Sequence, residues 1–339
     1  MSPPERPPAA LAAHLPLLEE TLKRAIGGSD SPLASASRYV MGWEDEHGRA
    51  AAAGGKRIRP ALCLFAAESL GGRVEDAIPG AVAVELVHNF SLVHDEIQDH
   101  DLERHSRPTT WARFGEGQAI NVGDYLYTRA VRALTDGPGD VGRRMRALAI
   151  LHEAIGQMIE GQWQDLEFES RDSVQPHEYL AMVARKTGAL LGAPLEMGSV
   201  LAGIPPEQSA QLGEWGRAVG LAFQIQDDFL GIWGDPDETG KSNRGDIMRK
   251  KKTLPIVFGL ADAGARDVIS TAYARPALAP DDADRVVAAL DRCGAARACA
   301  EEAHRHAANA DRLLRTFELG PRQAEQFRAI ASYIIDRRA

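Results

Sequence analysis

The chain has 339 residues, 44% of them hydrophobic, and a formal net charge of -9. Such a length supplies an ample core for one large domain or two, and the negative balance argues against a nucleic-acid surface or a general attraction to anionic lipid. Three cysteines without CxxC spacing, Cys63, Cys293 and Cys299, predict inert thiols in a reducing compartment, with a cytoplasmic location expected, rather than disulfides or zinc.

In chain order, residues 1–14 read as a flexible Pro-rich tail without a signal-peptide layout, and residues 15–339 as one all-α domain without significant β-sheet. Helical periodicity begins at Leu15–Ile26. It resumes near Ser35, runs to Ala53 and stops at Gly54–Gly55. The next helix starts near Pro60 and ends at Gly71–Gly72, and another follows Pro79. Arg104–Thr110 breaks the pattern before Ala119–Leu134 and Val141–Glu169. After Pro176 comes a helix rich in Gly188, Ala189, Gly192 and Ala193, which lets a neighbouring helix or ligand approach closely. Gly213–Trp233 is the next helix. A polar loop, GDPDETGKSNRGD, is too long for a mere turn. The remainder, from Pro255, reads as further helices separated at RPALAPDD and LGPR. No apolar run reaches the roughly 18 residues of a membrane span, so stable membrane insertion is not expected.

Two acidic stretches stand out, SLVHDEIQDHD at Ser91–Asp101 and FQIQDDFLG at Phe223–Gly231. On a helix Asp95 and Asp99 project side by side, and His88 lies two turns earlier on the same stripe. Leu86, Phe90, Val93 and Ile97 supply the buried side of that helix. Like charges at this spacing repel unless a cation or solvent offsets them, so the pair points to a metal. A solvated helix face is the plainer alternative.

Six motifs in order, GGKRIRP at Gly54–Pro60, DEIQD at Asp95–Asp99, RHSRPT at Arg104–Thr109, GQWQDL at Gly161–Leu166, KTGAL at Lys186–Leu190, and FQIQDDFLG with GDPDETGK, resemble the trans-isoprenyl diphosphate synthases, particularly the short-chain geranylgeranyl and farnesyl diphosphate synthases. The resemblance covers about residues 35–255. It implies an isoprenoid synthase-type helical bundle around a central cavity, and a prenyltransferase condensing isopentenyl diphosphate with a dimethylallyl, geranyl or farnesyl diphosphate. Asp95, Asp99 and Asp227 are then the Mg²⁺ ligands, with three ions when diphosphate is bound. Mg²⁺ suits this role because it keeps waters while bridging carboxylates to phosphate oxygens. Lys56, Arg59 and His88 correspond to the isopentenyl diphosphate site; Arg104, Lys186 and Lys241 correspond to the allylic site, Gln224 is a further substrate-binding residue, and Lys251 is the best phosphate contact in the Lys250–Lys252 run.

Three positions depart from the family pattern. Glu96 stands where many members have a second Asp, Gly231 where a third Asp is common, and His105 where the family has the second Arg of a pair associated with isopentenyl diphosphate. Phe90, five residues and about 7.5 Å of helix before Asp95, implies a floor under the growing chain beside the small Ser91, with a C20 product favoured over C15. A homodimer is implied by the family alone. A class I terpene cyclase or diphosphate lyase on the same fold, or a non-catalytic subunit of a heteromeric synthase, would share many of these residues.

Overall fold

The computed structural model describes residues 7–28, 31–51, 55–104, 107–235 and 244–335. Helices dominate. The opening helices are α1 (Ala9–Ala12), α2 (Leu15–Ile26), α3 (Pro32–Val40) and α4 (Ile58–Ser69), followed by the 25-residue α5 (Val74–Gln98). A two-residue hairpin then pairs β1 (Glu103–Arg104) with β2 (Arg107–Pro108), in the register Glu103 with Pro108 and Arg104 with Arg107. It is the one sheet among the described residues. The middle helices are α6 (Thr110–Phe114), α7 (Glu116–Asp136), α8 (Val141–Ser170) and α9 (Pro176–Val183), which continues through a π-helical turn (Ala184–Gly188) into α10 (Ala189–Ala202). The remaining helices are α11 (Pro206–Trp233), α12 (Gly245–Met248), α13 (Leu254–Ala261), α14 (Ala263–Tyr273), α15 (Pro280–Cys293), α16 (Ala295–Leu314) and α17 (Pro321–Ile335).

The all-helical expectation holds, with three boundaries corrected. Leu11 is already buried in α1, ahead of the Leu15 start. The helix expected to run from Ser35 to Ala53 ends at Val40, and Gly42 at φ 79 turns the chain into a loop bridged between Glu44 and Ala50. Asp45 stabilises that loop by accepting from the backbone N–H groups of His47 and Arg49, a local competition with helix that Asp favours. Finally, α5 starts at Val74 and carries Pro79 inside it, giving up one backbone bond within its continuously buried stretch Ala77–Val87.

The chain divides into two compact units. The first consists of Ala9–Glu153 with Ala193–Ala210. There α5 packs along α4 and α7 around Leu62, Phe65, Val84, Leu86 and Leu126. Ala193–Ala210 belongs to this packing because a Cβ on Gly198 would lie 2.2 Å from the Cys63 carbonyl oxygen, a distance only glycine permits. The second unit consists chiefly of Ala154–Gly192 and Gln211–Ala339. Its core joins Tyr179, Met182 and Val183 of α9 to Ile225 of α11, Leu254 and Val257 of α13 and Cys299 of α16. The small-residue stripe works here as helix packing: a Cβ on Gly192 would meet the Gly213 carbonyl oxygen of α11 at 2.5 Å. Among the described residues no helix is long and apolar enough to cross a membrane.

Candidate active site

In the first unit the site residues hang on α5. Asp95 lies on its last turns and Asp99 is its final cap, with the Asp99 N–H donating to the Asp95 carbonyl at 2.8 Å. His100 then takes a left-handed conformation, φ 54, and the chain turns back as the hairpin. Trp111 Nε1 and Thr109 Oγ1 both donate to the Asp101 carbonyl, at 2.8 and 2.7 Å, and lock that return. The reversal brings Arg104 back over acids that lie before it in the chain: its Nη2 lies 3.5 Å from Asp95 Oδ2 and its Nη1 3.8 Å from Glu96 Oε1. Glu96 is buried and accepts from the Thr110 N–H at 3.2 Å, and burial pushes its carboxyl above the usual range. His105 lies outside the described residues.

Two turns earlier on α5, His88 Nε2 accepts from Arg59 Nη1 at 3.1 Å. A guanidinium only donates, so Nε2 carries the lone pair and the ring is neutral. Burial, then the charges of Arg59, Arg104 and Arg57, hold its pKa well below the ordinary 6.5. Lys56 is exposed, whereas Arg57 between these cations turns inward. Ser91 donates to the His88 carbonyl at 2.8 Å. Phe90 packs edge-on against His94, with centroids 4.8 Å apart, and against Tyr127 of α7 at 5.7 Å. Tyr127 in turn donates to His152 Nε2 at 2.8 Å, and His152 Nδ1 donates to the Leu148 carbonyl at 2.9 Å.

The second unit gathers the rest. Lys186 sits in the π turn, where its Nζ meets Asp165 Oδ2 at 2.6 Å. A Cβ on Gly161 would fall 2.4 Å from the Lys186 backbone nitrogen, so the GQWQDL glycine is what lets α8 close on that turn. Thr187 donates to Gln224 Oε1 at 3.1 Å, and Gln224 Nε2 donates to Asp228 Oδ1 at the same distance. Asp228 is only 3% exposed; it also accepts from Tyr179 Oη at 2.6 Å and from the Leu254 N–H at 3.2 Å, and burial still lifts its carboxyl to about 7. Asp227, the adjacent residue, is half-buried on the neighbouring face of α11, as is Phe223 one turn before it.

Around the lysine run, Lys252 Nζ donates to the carbonyls of Phe168 at 2.5 Å, Glu169 at 3.0 Å and Arg171, capping the end of α8. Lys250 donates to the Arg275 carbonyl, and Lys251 is half-buried between them. At Gly231 a Cβ would lie 2.9 Å from Asp246 Oδ2, so a neighbouring carboxylate stands beside the position that lacks one. Lys241 lies outside the described residues.

Sequence reasoning passed over Arg57, Asp165, Tyr179 and Asp228. Arg57, Asp165 and Asp228 lie inside the quoted motifs, and Arg57 and Asp228 each adjoin an expected site residue, Lys56 and Asp227; Tyr179 carried no such signal. Among the described residues no three acidic, imidazole or thiol groups converge tightly enough to hold a metal by themselves. The available donors are carboxylate oxygens, which fit a hard divalent cation that takes its other ligands from water and a phosphate.

The polyprenyl synthetase family profile matches residues 45–290. The chain is 41% identical over 330 residues to a (2E,6E)-farnesyl diphosphate synthase of Mycobacterium tuberculosis, covering 95% of this chain and 91% of that one. It is 40% identical over 287 residues to a geranylgeranyl diphosphate synthase of the same organism, covering 83% and 82%. A crystal structure of a polyprenyl synthase from Caulobacter crescentus, complexed with calcium and isoprenyl diphosphate, superposes with a TM-score of 0.83 at 27% identity, covering 99% of this chain and 100% of that one.

Proposed function

The chain belongs to the polyprenyl synthetase family, and from that premise we propose that it is a trans-prenyltransferase joining isopentenyl diphosphate to an allylic diphosphate, with a short-chain prenyl diphosphate and diphosphate as products. One observation carries the reading. Helix α5 carries His88, paired with Arg59 of α4, and two turns on Asp95, under Arg104 of β1, so groups suited to an acceptor diphosphate and groups suited to a leaving one are built around one rigid element. A cyclase would use only the latter.

In this reading Lys56, Arg59, neutral His88 and His105 bind isopentenyl diphosphate. Arg104, Lys186, Gln224, Lys241 and Lys251 hold the allylic diphosphate, Arg as a fork and Lys as point charges. Asp95, Asp99 and Asp227 hold Mg²⁺, proposed as three ions, and the calcium in the Caulobacter relative supports a divalent site. Bound Mg²⁺ supplies neutralisation of the departing diphosphate. The allylic C–O bond breaks, Phe223 shields the resulting cation, the isopentenyl double bond attacks it, and loss of a proton completes the new alkene. The functional domain is taken as residues 15–339, since the matched span of 45–290 draws on both units.

A C20 product is proposed because Phe90 is backed by Tyr127 and His94 rather than by open space. The farnesyl and geranylgeranyl relatives match almost equally, so the product decides this point. Purified protein with Mg²⁺, farnesyl diphosphate and labelled isopentenyl diphosphate should yield labelled geranylgeranyl diphosphate. A hydrocarbon without label would assign cyclisation, and no turnover a subunit role. Phe90→Ala should lengthen the product; an unchanged distribution would reduce Phe90 to packing.

A further inference from the structure

We propose that Arg57 is a positioning residue for isopentenyl diphosphate, a buried pin that sets Lys56 and Arg59 on their target without touching it. The inference rests on the acceptor-site reading above. Lys56, Arg57 and Arg59 look interchangeable in the sequence, but their surroundings separate them. Lys56 is exposed, Arg59 stands against His88, and Arg57 is only 5% exposed.

Every nitrogen of the Arg57 guanidinium is engaged inside the first unit. Nε donates to Glu19 Oε1 of α2 at 2.6 Å, Nη1 to Glu85 Oε1 of α5 at 2.7 Å, and Nη2 to the Met41 carbonyl at 3.0 Å. Asn89 braces Glu85 from the next turn, with its Nδ2 3.0 Å from Glu85 Oε1. Glu85 is itself 4% exposed, so its charge is answered by Arg57 and Asn89 rather than by water. Three of its five N–H donors are held by these partners, and the side chain is only 4% exposed, so Arg57 presents almost nothing to a phosphate.

The backbone at Arg57 is left-handed, φ 49 and ψ 36, and immediately precedes α4. A side chain other than glycine holds that conformation only when its surroundings over-determine it, and three anchors from α2, the α3 end and α5 do so. The reversal aims residue 56 outward and starts the turn that lays Arg59 beside His88. Glu85 and Asn89 flank His88 on α5, so one helical turn fixes the pin and the Arg59 contact together.

The test is steady-state kinetics of Arg57→Lys and Glu19→Gln, with Lys56→Ala as the reference. Arg57→Lys keeps the charge but loses the fork, and Glu19→Gln loosens the outer bond together with the one that Glu19 Oε2 accepts from Trp43 Nε1. The KM for isopentenyl diphosphate should rise about tenfold in Arg57→Lys and less in Glu19→Gln, as for other residues that orient a binding group, while the KM for the allylic diphosphate stays within about twofold. Parallel changes in both KM values, or lower thermal stability with neither KM moved, would reduce Arg57 to a fold residue. If Lys56→Ala itself leaves the isopentenyl KM unchanged, the acceptor-site reading fails and this proposal with it. If only Lys56→Ala raises it, the reading stands and the pin is refuted.

Discussion

Asp95 and Arg104 stand 3.5 Å apart although nine residues separate them, so the acid proposed for metal and a cation proposed for diphosphate already share one surface. Asp95→Ala should lower turnover by at least about 100-fold, the upper range seen even for outer partners of a metal, with the circular dichroism spectrum unchanged; activity within a few-fold of wild type would remove Asp95 from the metal set. His88 makes a prediction of opposite kind, about stability. Its folded pKa is depressed, so between that value and 6.5 the unfolded chain binds more protons than the folded one, and stability falls as pH drops below 6.5. Each pH unit carries at most about 1.4 kcal/mol. In substrate-free thermal melts, His88→Gln should therefore lose less stability than wild type between pH 7 and pH 5. Equal losses would mean that His88 protonates within the fold.

At the scale of helices, the close approach of α8 to the π turn is set by one missing methyl group. Gly161→Ala would place a carbon 2.4 Å from the Lys186 nitrogen and should cost about 1–3 kcal/mol in denaturant unfolding while raising the allylic KM, because the Lys186–Asp165 pair must move with the turn. Helix α2 was legible to its ends because Pro16 and the glycines after Ile26 punctuate it, and the acid pair on α5 was legible from its four-residue spacing. The Glu44–Ala50 loop was not, since Asp45 satisfies backbone groups in a way that periodicity does not record. The π turn was equally silent: one extra residue in a helix leaves the apolar pattern almost intact while turning Lys186 toward Asp165. Arg57 escaped for a different reason, because whether a basic side chain faces solvent or carboxylate depends on Glu19 and Glu85, 38 and 28 residues away.

For the whole molecule, the exposed Trp163, at 74%, and Ile159, at 53%, lie one turn apart on α8 and support the proposed association with a second copy. Sedimentation should give twice the chain mass, and Ile159→Glu with Trp163→Glu should shift it to one; a wild-type monomer would end that proposal. The interleaving of the two units along the chain bears on how the protein is made. A nascent chain ending at Glu153 lacks Ala193–Ala210, including the glycine against which Cys63 packs, so the first unit stays incomplete while part of the second is being translated. Vectorial synthesis therefore cannot finish one unit before beginning the other. Ribosome-stalled chains should resist protease over residues 9–153 only once residue 210 has cleared the exit tunnel.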